Sequence, residues 1–207
     1  MGVEYRTVKG EVVFELVEKR SRFIASLDCV SSQAMAQAYL SKIKKKHYSA
    51  KHNVYAYVLA SGQEKFSDDG EPSGTGGQPV LDVLKKNSLL DVVCVVSRYF
   101  GGILLGRGGL LRAYSAVASK AVEDADFVKM VACDYCKITC DYSLLGSVLS
   151  VLKKYGFFLD NKVFTQSVEL YGFSALLKTG LLSVALEDVS CGKIGFEILS
   201  RRIRKVG

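Results

Sequence analysis

Residues 98 to 114 read RYFGGILLGRGGLLRAY, with Gly101, Gly102, Gly106, Gly108 and Gly109 inside nine residues and Arg98, Arg107 and Arg112 before, among and after them. Ordering glycine costs backbone entropy, so a cluster signals a main-chain path that side chains would obstruct. An apolar run, DVVCVVSRYF, leads into the cluster, and a helical pattern beginning near Gly108, GGLLRAYSAVASKAVEDA, leaves it. The glycines therefore join a strand to a helix. First-turn amides have no intrahelical partner and sit at the positive end of the helix dipole. Bare main chain lets an anion reach them, and guanidinium groups add charge, so the pattern suits phosphate. It equally suits close packing of a helix on a sheet, and both readings stand. No Gly-Lys-Ser/Thr follows, and Leu111 occupies the third-glycine position of G-x-G-x-x-G, so neither common nucleotide loop is present.

A second loop, SDDGEPSGTGGQP, places Asp68, Asp69 and Glu71 within four residues and Ser73, Gly74 and Thr75 just after. Three carboxylates at this spacing suit a divalent cation, but not in an EF-hand pattern. Turn formation, or fixing the arginines of the other loop, explains them equally, and no metal site is assigned. Ser73, Gly74 and Thr75 offer hydroxyls and amides to a phosphate. Of two histidines, His52 opens an apolar strand near the acidic loop, as a candidate base or anion contact, or as a structural residue; His47 ends a lysine-rich helix. No Ser-His-Asp or Cys-His spacing occurs, and no catalytic residue is assigned. Cys136 and Cys140 lie on one strand about 13 Å apart, too far to share a metal, so the six cysteines read as reduced core residues.

These loops sit between periodic segments. Residues 10–18 and 22–30 read as a hairpin around KRSR, 33–47 as a helix capped by Ser31 or Ser32, and 53–60 as a strand whose Tyr55 and Tyr57 are core or stacking residues. Residues 61–79 read as one long polar loop, and Pro79 opens a short helix. After Asp126 the pattern restarts as β-α-β-β-α-β, with a turn near Asp160-Asn161 and a helix across 175–192, a ferredoxin-like order. The fold class is α+β, in two domains, 1–126 and 127–207.

The chain is 49% hydrophobic with a net charge of +7, which permits nucleic acid as a partner and excludes disorder. Lys42, Lys44, Lys45, Lys46 and Lys51 form one basic run, and Arg201, Arg202, Arg204 and Lys205 another. No apolar run approaches the roughly 20 residues of a bilayer span, and a charged N-terminus lacks a signal core, so a cytoplasmic location without membrane contact is expected. Gly2 follows Met1, but Arg6 stands where a myristoylation motif has Ser or Thr.

FSDDGEPSGTGGQPVLDVL (66–84) and VVSRYFGGILLGRGGLLRAYS (95–115) closely resemble the two signature stretches of the YigZ/IMPACT family. KRSRFIA and AKHNVYAYV resemble that family's neighbouring motifs, and CDYSLLG resembles the second domain of its bacterial YigZ branch. The resemblance implies an N-terminal fold like domain 2 of a small-subunit ribosomal protein, shared with domain IV of elongation factor G and some small-molecule kinases. It also implies a C-terminal domain like domain V of elongation factor G. It ties the chain to translation, with RNA or the ribosome as expected partners, a protein partner in translation control as another, and no cofactor. The eukaryotic branch's partner, the activator of a stress-response kinase, does not carry over, because that branch's extra domain is not seen here. Gly76 replaces the family's usual Ala and Arg107 its usual Thr, which argues against Arg107 as a shared functional residue. The expected binding residues are thus His52, Asp68, Asp69, Glu71, Ser73, Gly74, Thr75, Arg98, Gly101, Gly102, Gly106, Gly108, Gly109 and Arg112. The alternatives are an enzyme handling phosphate on a small molecule or nucleotide, and a protein-interaction adaptor.

Overall fold

The computed structural model describes residues 4–206; Gly2 lies outside them. Two sheets and five α-helices make a mixed α and β structure, divided into compact units at Tyr5–Lys129 and Met130–Gly207.

In the first unit, β2 (Val12–Glu18), β3 (Ser21–Cys29), β4 (His52–Val58), β5 (Glu64–Ser67) and β6 (Val92–Tyr99) pair antiparallel in the order β2-β3-β6-β4-β5. The β2–β3 hairpin closes at Lys19 and Arg20, both at positive φ, the two-residue turn that matches strand twist. Strand β6 is central and covered on both faces, which explains its unbroken apolar run. Val93 and Val95 pack with Tyr39, Leu40 and Ile43 of α1 (Gln33–Lys46), and with Tyr55 and Tyr57, which are core residues. Ser32 caps α1 by accepting from the Met35 amide. On the other face Val92, Cys94 and Val96 meet α2 (Gly77–Lys86) and α3 (Gly106–Glu123). Apolar side chains thus fill both sides of one sheet, and burial of each full-sized one contributes roughly 1.5–3 kcal/mol.

The second unit runs β7 (Phe127–Cys140), α4 (Leu145–Tyr155), β8 (Phe158–Phe164), β9 (Val168–Ala175), α5 (Thr179–Ser190) and β10 (Gly195–Val206). Its strands pair in the order β10-β7-β9-β8; β1 (Glu4–Val8) also pairs with β7, whose first residues belong to the first unit. Ile138, Leu170, Val148, Leu152, Leu182 and Leu186 form its core. Gly156 ends α4 in the left-handed conformation.

Four expectations change. Residues 61–79 are not all loop: β5 lies within them, an exposed edge strand too short and polar to show periodicity. The turn expected at Asp160-Asn161 is a register shift between Leu159 and Asn161, and the chain reverses around Thr165–Ser167 instead. Helix α3 starts at Gly106 rather than Gly108, and α5 at Thr179. No disulfide joins cysteines among the described residues. Cys94, Cys133, Cys136 and Cys140 are buried as expected, but Cys29 is half-buried and Cys191, just past the end of α5, is exposed. Burial pushes the Cys94 thiol up to about 12 and Cys136 up to about 11, so neither is a ready thiolate.

Candidate anion-binding cleft

Arg98 sits at the end of β6, directly opposite His52 of β4 and Phe23 of β3 in the ladder. Its side chain is buried and donates from Nη1 to Glu71 Oε1 at 2.6 Å. The same oxygen accepts from the Tyr114 hydroxyl at 2.8 Å. Tyr114 comes from the core face of α3, packs edge-on against Phe23, and is fully buried. Burial and the Glu71 charge hold its phenol protonated far above the ordinary range. Arg98 Nε is buried without a partner among the described residues.

His52 Nδ1 lies 2.8 Å from the Asp69 carbonyl. A carbonyl only accepts, so Nδ1 carries the proton and donates. That leaves Nε2 facing Glu71 Oε1 at 3.9 Å.

The three carboxylates diverge instead of converging on a metal, and no group of metal-ligating side chains forms among the described residues. Asp68 Oδ1 accepts from the Gly76 and Gly77 amides at 2.9 and 2.8 Å, and Oδ2 from Gly74 at 2.9 Å, so it caps the start of α2. Burial raises the Asp69 pKa, but the Asn53 amide and the Lys44 ammonium outweigh it and hold the carboxyl below the usual range. Glu71 holds Arg98. Thr75 is buried and turns its hydroxyl to the Pro72 carbonyl, while the Ser73 carbonyl accepts from Arg107 Nη2 at 2.9 Å.

The glycine loop differs. The Gly101 amide donates to the Ser21 hydroxyl at 3.2 Å, and a Cβ there would overlap the Arg20 main chain, so only glycine fits. Gly106 adopts φ +72 at the start of α3. Among the described residues no side chain caps α3 and its first turn holds no acid, while Arg107 places a cation there, against the dipole.

A cleft of about 420 Å³ opens at this point. Lys51, His52, Arg98 and Arg107 supply its polar wall, Glu71 its one carboxylate, and Phe100, Leu104, Leu105 and Leu110 its apolar wall, with Gly106 at the rim. Of the expected residues, the cleft gathers His52, Glu71, Arg98 and Gly106. Gly102 lies in the preceding bend and Gly108 in the first turn of α3. Gly109 and Arg112 instead line a separate depression of about 300 Å³ with Leu16, Glu18 and Lys19. Sequence reasoning did not place Lys51, Arg107 or Tyr114 among the binding residues. For Tyr114 a signal existed: a tyrosine on the apolar stripe of a helix needs a buried partner for its hydroxyl.

The Impact N-terminal domain matches residues 19–122, the stretch that carries the cleft. The chain is 39% identical to the IMPACT family member YvyE of Bacillus subtilis over 191 residues, covering 91% of this chain and 88% of that one. It is 32% identical to the IMPACT family member YigZ of Escherichia coli over 180 residues, 85% and 88% of the two chains. A crystal structure described as that of a hypothetical protein superposes with a TM-score of 0.68 at 28% identity, covering 97% of this chain and 99% of that one. The chain belongs to the IMPACT family.

Proposed function

We propose that this is a cytoplasmic, translation-associated regulatory protein that binds RNA, free or on the ribosome, through the cleft and without catalysis. In this reading the first domain is built like domain 2 of a small-subunit ribosomal protein, and the second is ferredoxin-like. One observation carries the proposal. Of the two loop–helix junctions, α2 is capped by Asp68 and α3 is left open beside Lys51 and Arg107. A bound phosphate would cap α3, offset the cation placed against its dipole, and offer an acceptor near the idle Arg98 Nε.

The test is RNA binding by the full chain across a salt series. Arg107→Glu weakens binding and lowers the log–log salt slope by about one for each phosphate the variant no longer neutralises. Absence of binding at low salt, or an unchanged slope, refutes the reading. The approach of His52 Nε2 to Glu71 favours a second reading, an enzyme handling a small phosphate compound. Saturable, stoichiometric nucleotide binding with turnover in Mg²⁺ would establish it in place of the first.

A further inference from the structure

The second unit has a face unlike the rest of its surface. Ile138 and Leu170 point to the core. The alternate positions bring Tyr135 opposite Phe173, Lys137 opposite Tyr171, and Phe158 opposite Phe173 on the other face of the sheet. Strand β10 adds two arginines. Arg204 lies over the Phe173 ring at 4.0 Å and the Phe158 ring at 4.2 Å, and Arg202 over Tyr135 at 5.2 Å. Tyr135 and Phe173 are themselves in contact, with centroids 4.6 Å apart. Phe158 is 56% exposed, whereas Phe173 is buried beneath Arg204, so Phe158 and the guanidinium groups are the surfaces a base can reach. Lys137 is matched by Glu169 at 2.6 Å, but neither Arg202 nor Arg204 makes an ion pair among the described residues.

We propose that this face is a stacking platform for single-stranded RNA, holding two or three bases. Planar guanidinium groups backed by rings offer flat surfaces to bases, while their unneutralised charge faces the phosphates. A sheet that carries aromatic side chains on the face turned from its helices is a physical solution to reading unpaired bases. Two guanidinium groups without a carboxylate partner among the described residues call for an anionic occupant, and their stacking on rings suits one that also carries flat bases. The platform uses different residues from the cleft and stands without it.

The experiment compares a labelled eight-nucleotide oligouridylate with an abasic strand of the same length, by anisotropy, on the full chain. The wild-type chain prefers the base-bearing strand. Phe158→Ser and Arg202→Gln each reduce that preference by about 5- to 100-fold, the range of single stacking interactions. Phe158→Leu, which keeps apolar volume but removes the ring, shows the same loss with an unchanged melting temperature. Arg107→Glu leaves the base preference intact, so failure of the cleft and failure of the platform are distinguished. Equal affinity for both strands, or a preference that survives the face substitutions, overturns the proposal. So does a loss confined to binding of polyglutamate, which would mark an acidic protein partner.

Discussion

Replacing Glu71 with Gln would test whether the cleft is held by charge. Arg98 and Glu71 side chains are only 6% and 3% exposed, with Nη1 and Oε1 2.6 Å apart. Unit charges about 4 Å apart attract by about 4 kcal/mol at an effective dielectric of about 20. Glutamine preserves shape and one acceptor, so the substitution chiefly removes the counter-charge and leaves a guanidinium buried alone. Breaking such a pair costs about 3–5 kcal/mol. For a unit of this size that lowers Tm by roughly 10–20 °C, read by calorimetry or circular dichroism. Because phosphate can replace the missing carboxylate, adding it should stabilise Glu71→Gln more than the wild-type chain. Replacing both residues, Glu71→Leu with Arg98→Met, should restore much of the loss, since no unpaired charge then remains. A Glu71→Gln chain melting within about 1 kcal/mol of wild type, with the same response to phosphate, would show that the pair does not organise the cleft.

Gly101→Ala forces a Cβ into the Arg20 main chain and should destabilise by about 3 kcal/mol or more, whereas Gly62→Ala, which meets no atom within 4 Å, should cost only about 1 kcal/mol for its positive φ; urea melts compare them. Asp68→Asn keeps one carboxamide oxygen but turns an N–H group towards amide donors, so it should lose about 1–3 kcal/mol in the same assay. Burial first, then Lys46 and Arg22, hold the His47 pKa below its ordinary value, and its Nδ1 lies 2.9 Å from the Tyr99 hydroxyl. The unfolded chain binds that proton near pH 6.5 while the folded one does so only at lower pH, so stability falls as pH drops below about 6.5; His47→Gln should flatten that part of the profile.

Much of the fold was legible because periodicity reports burial. DVVCVVSRYF read as a central strand, and the heavy packing on both faces of β6 is the cause. The 18–21 hairpin was visible from its flanking strands, although Lys19 and Arg20 are not the usual residues of a positive-φ turn. EKFS was not visible as β5, because an exposed edge strand with charged positions carries no apolar alternation. The Asp160-Asn161 dipeptide misled because turn chemistry also serves a register shift. At the cleft, residue types were legible but their pairings were not. Arg98 and Arg112 look equivalent in the sequence, and both are expected to bind. Ladder register buries Arg98 opposite His52, while the helical period turns Arg112 towards Glu18 and Lys19 and away from the cleft.

In the proposed reading, the acidic loop leaves the cleft free to take an anion from outside. Each carboxylate of the acidic loop is already engaged, Asp68 by three amides, Asp69 by Lys44 and the Asn53 amide, and Glu71 by Arg98 and Tyr114. None can swing over to cap α3 without giving up a partner of its own. An anion bound as proposed would therefore not have to displace an internal carboxylate, and the cleft would not have to rearrange to receive it. The ligand's charge, rather than a conformational change, then sets the affinity, and binding should respond steeply to salt while backbone amide exchange changes only around Gly102 to Gly108.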